Sequence, residues 1–194
     1  MVDPCESNGE QFLGILCSNP LDNVSSRVIA IDLDGIQYDG FLTPSIGNLS
    51  ELTTLNLSKN KFRSTIPETI SNLKKLTTLS MAYNYLTGTI PDSITLLKNI
   101  EHLDLSGNMI SGSVPVNISG HVSPVKKLKN FMKLDVSDNR FLGLINDYIL
   151  SLTQLVYLDV SDNRFERIET TNLSEEETQL QLLDAENNQF HQPF

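Results

Sequence analysis

Apolar residues recur along this chain in short alternating bursts rather than in helical stripes. Aligned on Leu52, the pattern reads Leu52-x-x-Leu55-x-Leu57-x-x-Asn60-x-Phe62. The same frame opens again at Leu76, Ile100, Phe131, Leu155 and Leu180, and a degenerate copy opens at Val28, where Ile36 replaces the asparagine. The seven starts, at 28, 52, 76, 100, 131, 155 and 180, are spaced by 24, 24, 24, 31, 24 and 25 residues. Chance does not hold a frame through seven copies, so the chain is read as a repeat protein. In each unit the x-L-x-L-x alternation predicts a short strand with one buried face. Stacked in parallel, such strands merge their Leu rows into one core. Seven of them at ~4.8 Å make a sheet roughly 29 Å across. The asparagine turns the chain away, and its amide can satisfy turn backbone inside the coil.

The second half of a unit is patterned too. Ile66-Pro67, Ile90-Pro91 and Val114-Pro115 are each followed three residues after the proline by Ile70, Ile94 or Ile118. Proline fixes φ and starts a short 3₁₀ or helical turn that seals the convex side. The run Asn84-Tyr85-Leu86-Thr87-Gly88-Thr89-Ile90-Pro91, with Leu103-Asp104-Leu105-Ser106-Gly107-Asn108, resembles the plant-type leucine-rich repeat over about residues 27–194. The resemblance implies an α/β repeat solenoid. Its coil is right-handed and curved, with a parallel β-sheet on the concave face and short 3₁₀, helical or irregular segments on the convex face. The Gly-x-Ile-Pro motif fades at Gly143-Leu144-Ile145-Asn146 and is lost over 165–173. A second, convex-side sheet therefore has no sequence signal there.

A solenoid exposes its core at both ends and needs caps. Residues 1–27 resemble the paired-cysteine N-terminal cap of plant extracellular repeat proteins, which implies a Cys5–Cys17 disulfide. Residues 28–194 then form the seven repeats, the last incomplete, in a single structural domain. A short insertion falls at 119–127. The chain stops inside its seventh unit and is expected to be a piece of a longer product.

Composition and charge sharpen this picture. There are 29 Leu and 18 Asn but only 3 Ala, which argues against a helical bundle. The formal charge of −10 argues against a nucleic-acid footprint, so no nucleic-acid partner is expected. No run of about 18 apolar residues is present, so no direct membrane insertion by this chain is expected.

Strand residues that do not point inward form the concave face and line up in columns. Position four after each start reads Asp32, Asn56, Ser80, Asp104, Asp135, Asp159, Asp184; position seven includes Tyr83, Asp138 and Asp162; position two includes His102, Lys133 and Tyr157. The C-terminal half of the face is acidic. Tyr83, His102, Asp104, Lys133, Asp135, Asp138, Tyr157, Asp159 and Asp162 are therefore the candidate ligand contacts, exposed aromatics being favoured at interfaces. The carboxylates belong to a repeating frame on an open surface with no desolvated pocket, so neither catalysis nor a metal site is expected. Phosphate-loop, zinc-protease and serine-elbow motifs are absent from the sequence, and no cofactor is expected. Asn23, Asn48, Asn56, Asn117 and Asn172 head glycosylation sequons. The insertion, with Lys126, Lys127 and nearby Lys129, forms a basic island.

The function implied is a non-catalytic protein- or peptide-binding module. It would be part of the ectodomain of a plant receptor-like protein or receptor kinase, extracellular or at the cell surface. A peptide or protein ligand, and a co-receptor ectodomain, would be met through the concave face and a lateral edge. Two other readings are a defence protein resembling plant polygalacturonase inhibitors and an intracellular leucine-rich repeat scaffold.

Overall fold

A computed structural model describes residues 5, 12–18, 25–115, 128–170 and 179–191. The sequons at Asn23, Asn117 and Asn172 and the insertion at 119–127 lie outside the described residues.

Strand β1 (Ile15–Cys17) precedes the first repeat, which supplies β2 (Val28–Asp32) and β3 (Asp39–Phe41). The following units add β4 (Thr54–Asn56) and β5 (Lys61–Ser64), β6 (Thr78–Ser80) and β7 (Tyr85–Leu86), then β8 (His102–Asp104) and β9 (Ser111–Gly112). The last three supply β10 (Lys133–Asp135) and β11 (Arg140–Ile145), β12 (Tyr157–Asp159) and β13 (Arg164–Ile168), and β14 (Leu182–Asp184). One eight-stranded sheet runs β1-β2-β4-β6-β8-β10-β12-β14. Its pairs are parallel except the first, where β1 lies antiparallel on β2. This is the leucine-rich repeat solenoid, with the long sheet on its concave side. Cys5 and Cys17 form a disulfide that ties the chain ahead of the repeats to the end of β1.

The inward Leu of successive strands, Leu55, Leu79, Leu103, Leu134 and Leu158, are buried, as are Leu57, Met81, Leu105, Val136 and Val160 beside them. They build one continuous core. Behind the strands, in every unit after the first, an asparagine closes the turn. Asn108 Nδ2 donates to the carbonyls of Met81, Leu105 and Ser106, and its Oδ1 accepts from Leu86 N. Asn60, Asn84, Asn139, Asn163 and Asn188 repeat that set. Each amide thus stitches its own turn to the one before, which keeps buried carbonyls paired where no ladder reaches them.

On the convex side 3₁₀ turns occupy Pro44–Asn48, Glu68–Asn72 and Asp92–Leu96; Pro67 and Pro91 cap the last two in extended conformation. The second sheet does not stop where the motif fades. It forms two three-stranded pieces, β3-β5-β7 and β9-β11-β13, and its longest strand is β11, in a unit without the proline. There Asn146 stands where three other units have Pro67, Pro91 and Pro115. It has the same extended backbone, and its side chain accepts from Tyr148 N at 3.0 Å to cap a helical turn, α1 (Asp147–Leu150). An N-cap asparagine ends the strand and starts the turn as proline does, by a hydrogen bond in place of a ring. Phe141 and Phe165 then stack beneath β11 and β13 with centroids 6.1 Å apart.

The candidate binding face on the concave sheet

The exposed side of the long sheet is shaped by a backbone demand common to every unit. The residue seven after each start, Gly35, Lys59, Tyr83, Gly107, Asp138, Asp162 and Asn187, has φ between 50° and 69°. In that left-handed turn the amide points along the sheet to the next unit: Tyr83 N donates to Ser106 O and Asp138 N to Ser161 O. The side chains at this position are thereby turned to the surface. Tyr83 is exposed, and its ring covers Gly107, where a Cβ would come within 2.5 Å of Tyr83 Cδ1.

Three adjacent strands, β8, β10 and β12, carry the densest part of the face. Their registers place His102, Lys133 and Tyr157 in one row and Asp104, Asp135 and Asp159 in the row beside it. Neighbouring members of each row are about 4.8 Å apart along the sheet. Each aspartate uses Oδ1 to hold its own turn. Asp104 accepts from Ser106 N and Oγ, Asp135 from Ser137 N and Oγ, and Asp159 from Ser161 N and Oγ. The Oδ2 atoms are the ones left for the surface. Lys133 Nζ lies 3.5 Å from Asp135 Oδ2 and 3.8 Å from Asp104 Oδ2, and 4.7 Å above the centroid of the Tyr157 ring. Tyr157 Oη donates to Asp159 Oδ2 at 3.0 Å. One ammonium and one phenol thus cover three carboxylates, leaving the group net negative.

Burial is the first cause of the shifts at Asp135 and Tyr157. Asp135 is only 7% exposed. Loss of water raises its pKa, the Ser137 hydroxyl pulls it back, and the charges of Asp104 and Asp159 on either side push it up further. The Tyr157 hydroxyl is pushed well above the usual phenol value, first by burial and then by its bond to Asp159 and the surrounding carboxylates.

The structure thus brings Asp104, Lys133, Asp135, Tyr157 and Asp159 together, with His102 exposed at the edge of the group. Asp135 is the most covered of the group, held between its neighbours with its Oδ2 facing Lys133 Nζ. Asp138 and Asp162 are exposed, separated from the group by the turn, and Asp162 Oδ1 accepts from Asn187 Nδ2. The role of Lys133 as the bridge was legible only once the register was known. Of the sequons described, Asn48 is exposed on a convex 3₁₀ turn. Asn56 is on the concave strand β4, where its Nδ2 donates to Asp32 Oδ1 and its Oδ1 accepts from Ser58 N. A glycan there would take one of the two hydrogens of that donating amide and stand on the candidate face.

Comparison with known proteins agrees with this architecture. The leucine rich repeat family profile matches residues 50–110. Over 57 residues the chain is 44% identical to the LRR receptor-like serine/threonine-protein kinase EFR of Arabidopsis thaliana. That match covers 29% of this chain and 5% of the kinase, so the chain corresponds to a small part of such a relative. The LRR ectodomain of the receptor kinase SOBIR1 from Arabidopsis thaliana superposes with a TM-score of 0.73 at 30% identity, over 87% of this chain and 86% of that one. The PEPR1–AtPEP1 structure superposes with a TM-score of 0.79 at 29% identity, over 95% of this chain and 24% of that one. The fold is that of a ligand-binding leucine-rich repeat module. The chain belongs to the leucine-rich repeat family and is of the plant receptor ectodomain type.

Proposed function

We propose that this chain is the ectodomain part of a plant receptor-like protein or receptor kinase, and that its concave face takes up a peptide or protein segment carrying cationic side chains. The observation that carries the reading is the group of Asp104, Asp135 and Asp159 on three adjacent strands, with Lys133 and Tyr157 across it. A guanidinium on the ligand can displace the Lys133 ammonium and take the same Oδ2 atoms, with better planar fit to carboxylate. The rings of Tyr157 and Tyr83 supply apolar contact area beside it. The ectodomain neighbours support the binding role, since one solved relative is the receptor kinase GASSHO1/SCHENGEN3 in complex with CASPARIAN STRIP INTEGRITY FACTOR 2. The Cys5–Cys17 bond supports an extracellular location, because disulfides persist in oxidising compartments.

The test is titration of a fluorescein-labelled arginine-rich peptide into the chain, compared with a Tyr157→Phe/Asp159→Asn variant. The conservative changes matter, because Asp159 Oδ1 also holds the Ser161 turn. Salt-sensitive binding that the variant weakens about tenfold supports the reading. Equal binding by both proteins, or none at low salt, overturns it.

A further inference from the structure

The second sheet carries a surface of the opposite sign. Its six strands, β3, β5, β7, β9, β11 and β13, contain Lys61, Arg63, Arg140, Arg164 and Arg167 but only two carboxylates, Asp39 and Glu166. The whole chain has 14 basic and 24 acidic residues, so over a third of its cations sit on these short strands. All five are exposed. Arg63 pairs with Asp39 at 2.7 Å and Arg167 with Glu169 at 3.4 Å, while Lys61, Arg140 and Arg164 have no ion-pair partner among the described residues.

Apolar groups are interleaved with these cations by register. Phe41 is opposite Arg63, and Arg63 is opposite Tyr85, so the three form one row across β3, β5 and β7. In the other piece Leu142 is opposite Arg164. Phe41 is 73% exposed, Tyr85 49% and Leu142 48%. Phe62 beside Arg63, Leu86 beside Tyr85 and Phe141 beside Leu142 turn inward, so the exposed row is the outer face of a firmly seated sheet. Arginine and tyrosine at the centre of an exposed face are the residue types that most often dominate binding energy.

We propose that this flank docks a second protein, one whose surface carries carboxylates among exposed apolar side chains. Charge complementarity selects an acidic partner. Phe41, Tyr85 and Leu142 select a protein over a carboxylated polysaccharide, which offers the charge but no apolar side chains. The flank and the concave face are different sheets, so both surfaces can be occupied at once. The inference rests on the binding-module reading but not on the identity of the concave ligand.

The test uses the intact chain and a short labelled peptide of glutamates interspersed with leucines, with an all-glutamate peptide and polygalacturonate as competitors. The mixed peptide is expected to bind in a salt-sensitive manner and to be displaced poorly by either competitor. An Arg63→Ala/Tyr85→Ala variant is expected to lose at least about tenfold in affinity, and Tyr157→Phe/Asp159→Asn to bind as the parent does. Equal affinity for the all-glutamate peptide or polygalacturonate reduces the flank to a general polyanion surface and overturns the proposal. No binding at low salt, or binding unchanged in the flank variant, overturns it as well. Loss in the concave variant alone assigns the peptide to the other face, which overturns this proposal and leaves the concave reading standing.

Discussion

Asp135 stands between two like charges with little access to water, and that arrangement has a cost that depends on pH. Its folded-state pKa is raised above the unfolded value of 3.8 by burial and by Asp104 and Asp159. The folded chain therefore binds this proton more tightly than the unfolded one. By linkage, stability from this group falls as pH rises from the ordinary carboxylate range through the raised pKa. An Asp135→Asn variant removes the penalty and keeps an acceptor for Ser137. It is expected to have a higher urea midpoint than the parent near neutral pH, the gap closing as the solution is acidified. A gap that is constant with pH, or reversed near neutrality, contradicts this account. The sequence placed Asp135 in the right column because the period alone sets the column. It did not show burial, because that depends on the size of Lys133 and Tyr157 on the flanking positions. The asparagine column was legible, since a turn residue at a fixed place in six of the seven units points to a shared turn role. The left-handed turn at position seven was hidden: Tyr83, Asp138 and Lys59 do not advertise positive φ as glycine does.

At the scale of elements, strands of the long sheet follow directly from the alternation, whereas the second sheet does not. The motif that marks it, Gly88-Thr89-Ile90-Pro91, has no copy at β11 or β13, yet both strands form. What those strands need is an inward aromatic, an extended run and something to end it. Phe141 and Phe165 supply the first and Asn146 the last for β11. Asn146 also donates towards Glu169 of the following unit at 3.4 Å, so its side chain touches both the helical turn and the next repeat. Asn146→Ala is expected to cost about 1 kcal/mol, the usual loss for an N-cap. Asn146→Pro keeps the extended backbone that Pro67 and Pro91 already show in equivalent places, and should cost less than the alanine. Paired urea melts of the two variants check the order, and an alanine variant as stable as the parent removes the cap from the account.

The whole molecule is a row of units, each touching mainly its neighbours, so damage at one end should stay near that end. The N-terminal end is closed by β1, which lies antiparallel on β2 through Ile15–Ile31 and Leu16–Ala30. Cys17 ends β1, and its bond to Cys5 closes a loop of sequence separation 12. In the chain-entropy account such a bond contributes roughly 3 kcal/mol by restricting the unfolded chain. A Cys5→Ser/Cys17→Ser variant should therefore loosen the cap without dissolving the solenoid. Hydrogen exchange is the measurement that separates local from global loss. Faster exchange is expected at Ala30 and Asp32 on β2. The effect should shrink through β4 and β6 and be nearly absent at Asp104, Asp135 and Asp159. The concave acidic group would then keep its geometry, and the arginine-rich peptide would bind the variant as it binds the parent. Uniformly faster exchange from β2 to β12 would mean instead that the disulfide sustains one cooperative unit, and that the candidate face depends on a cap several repeats away.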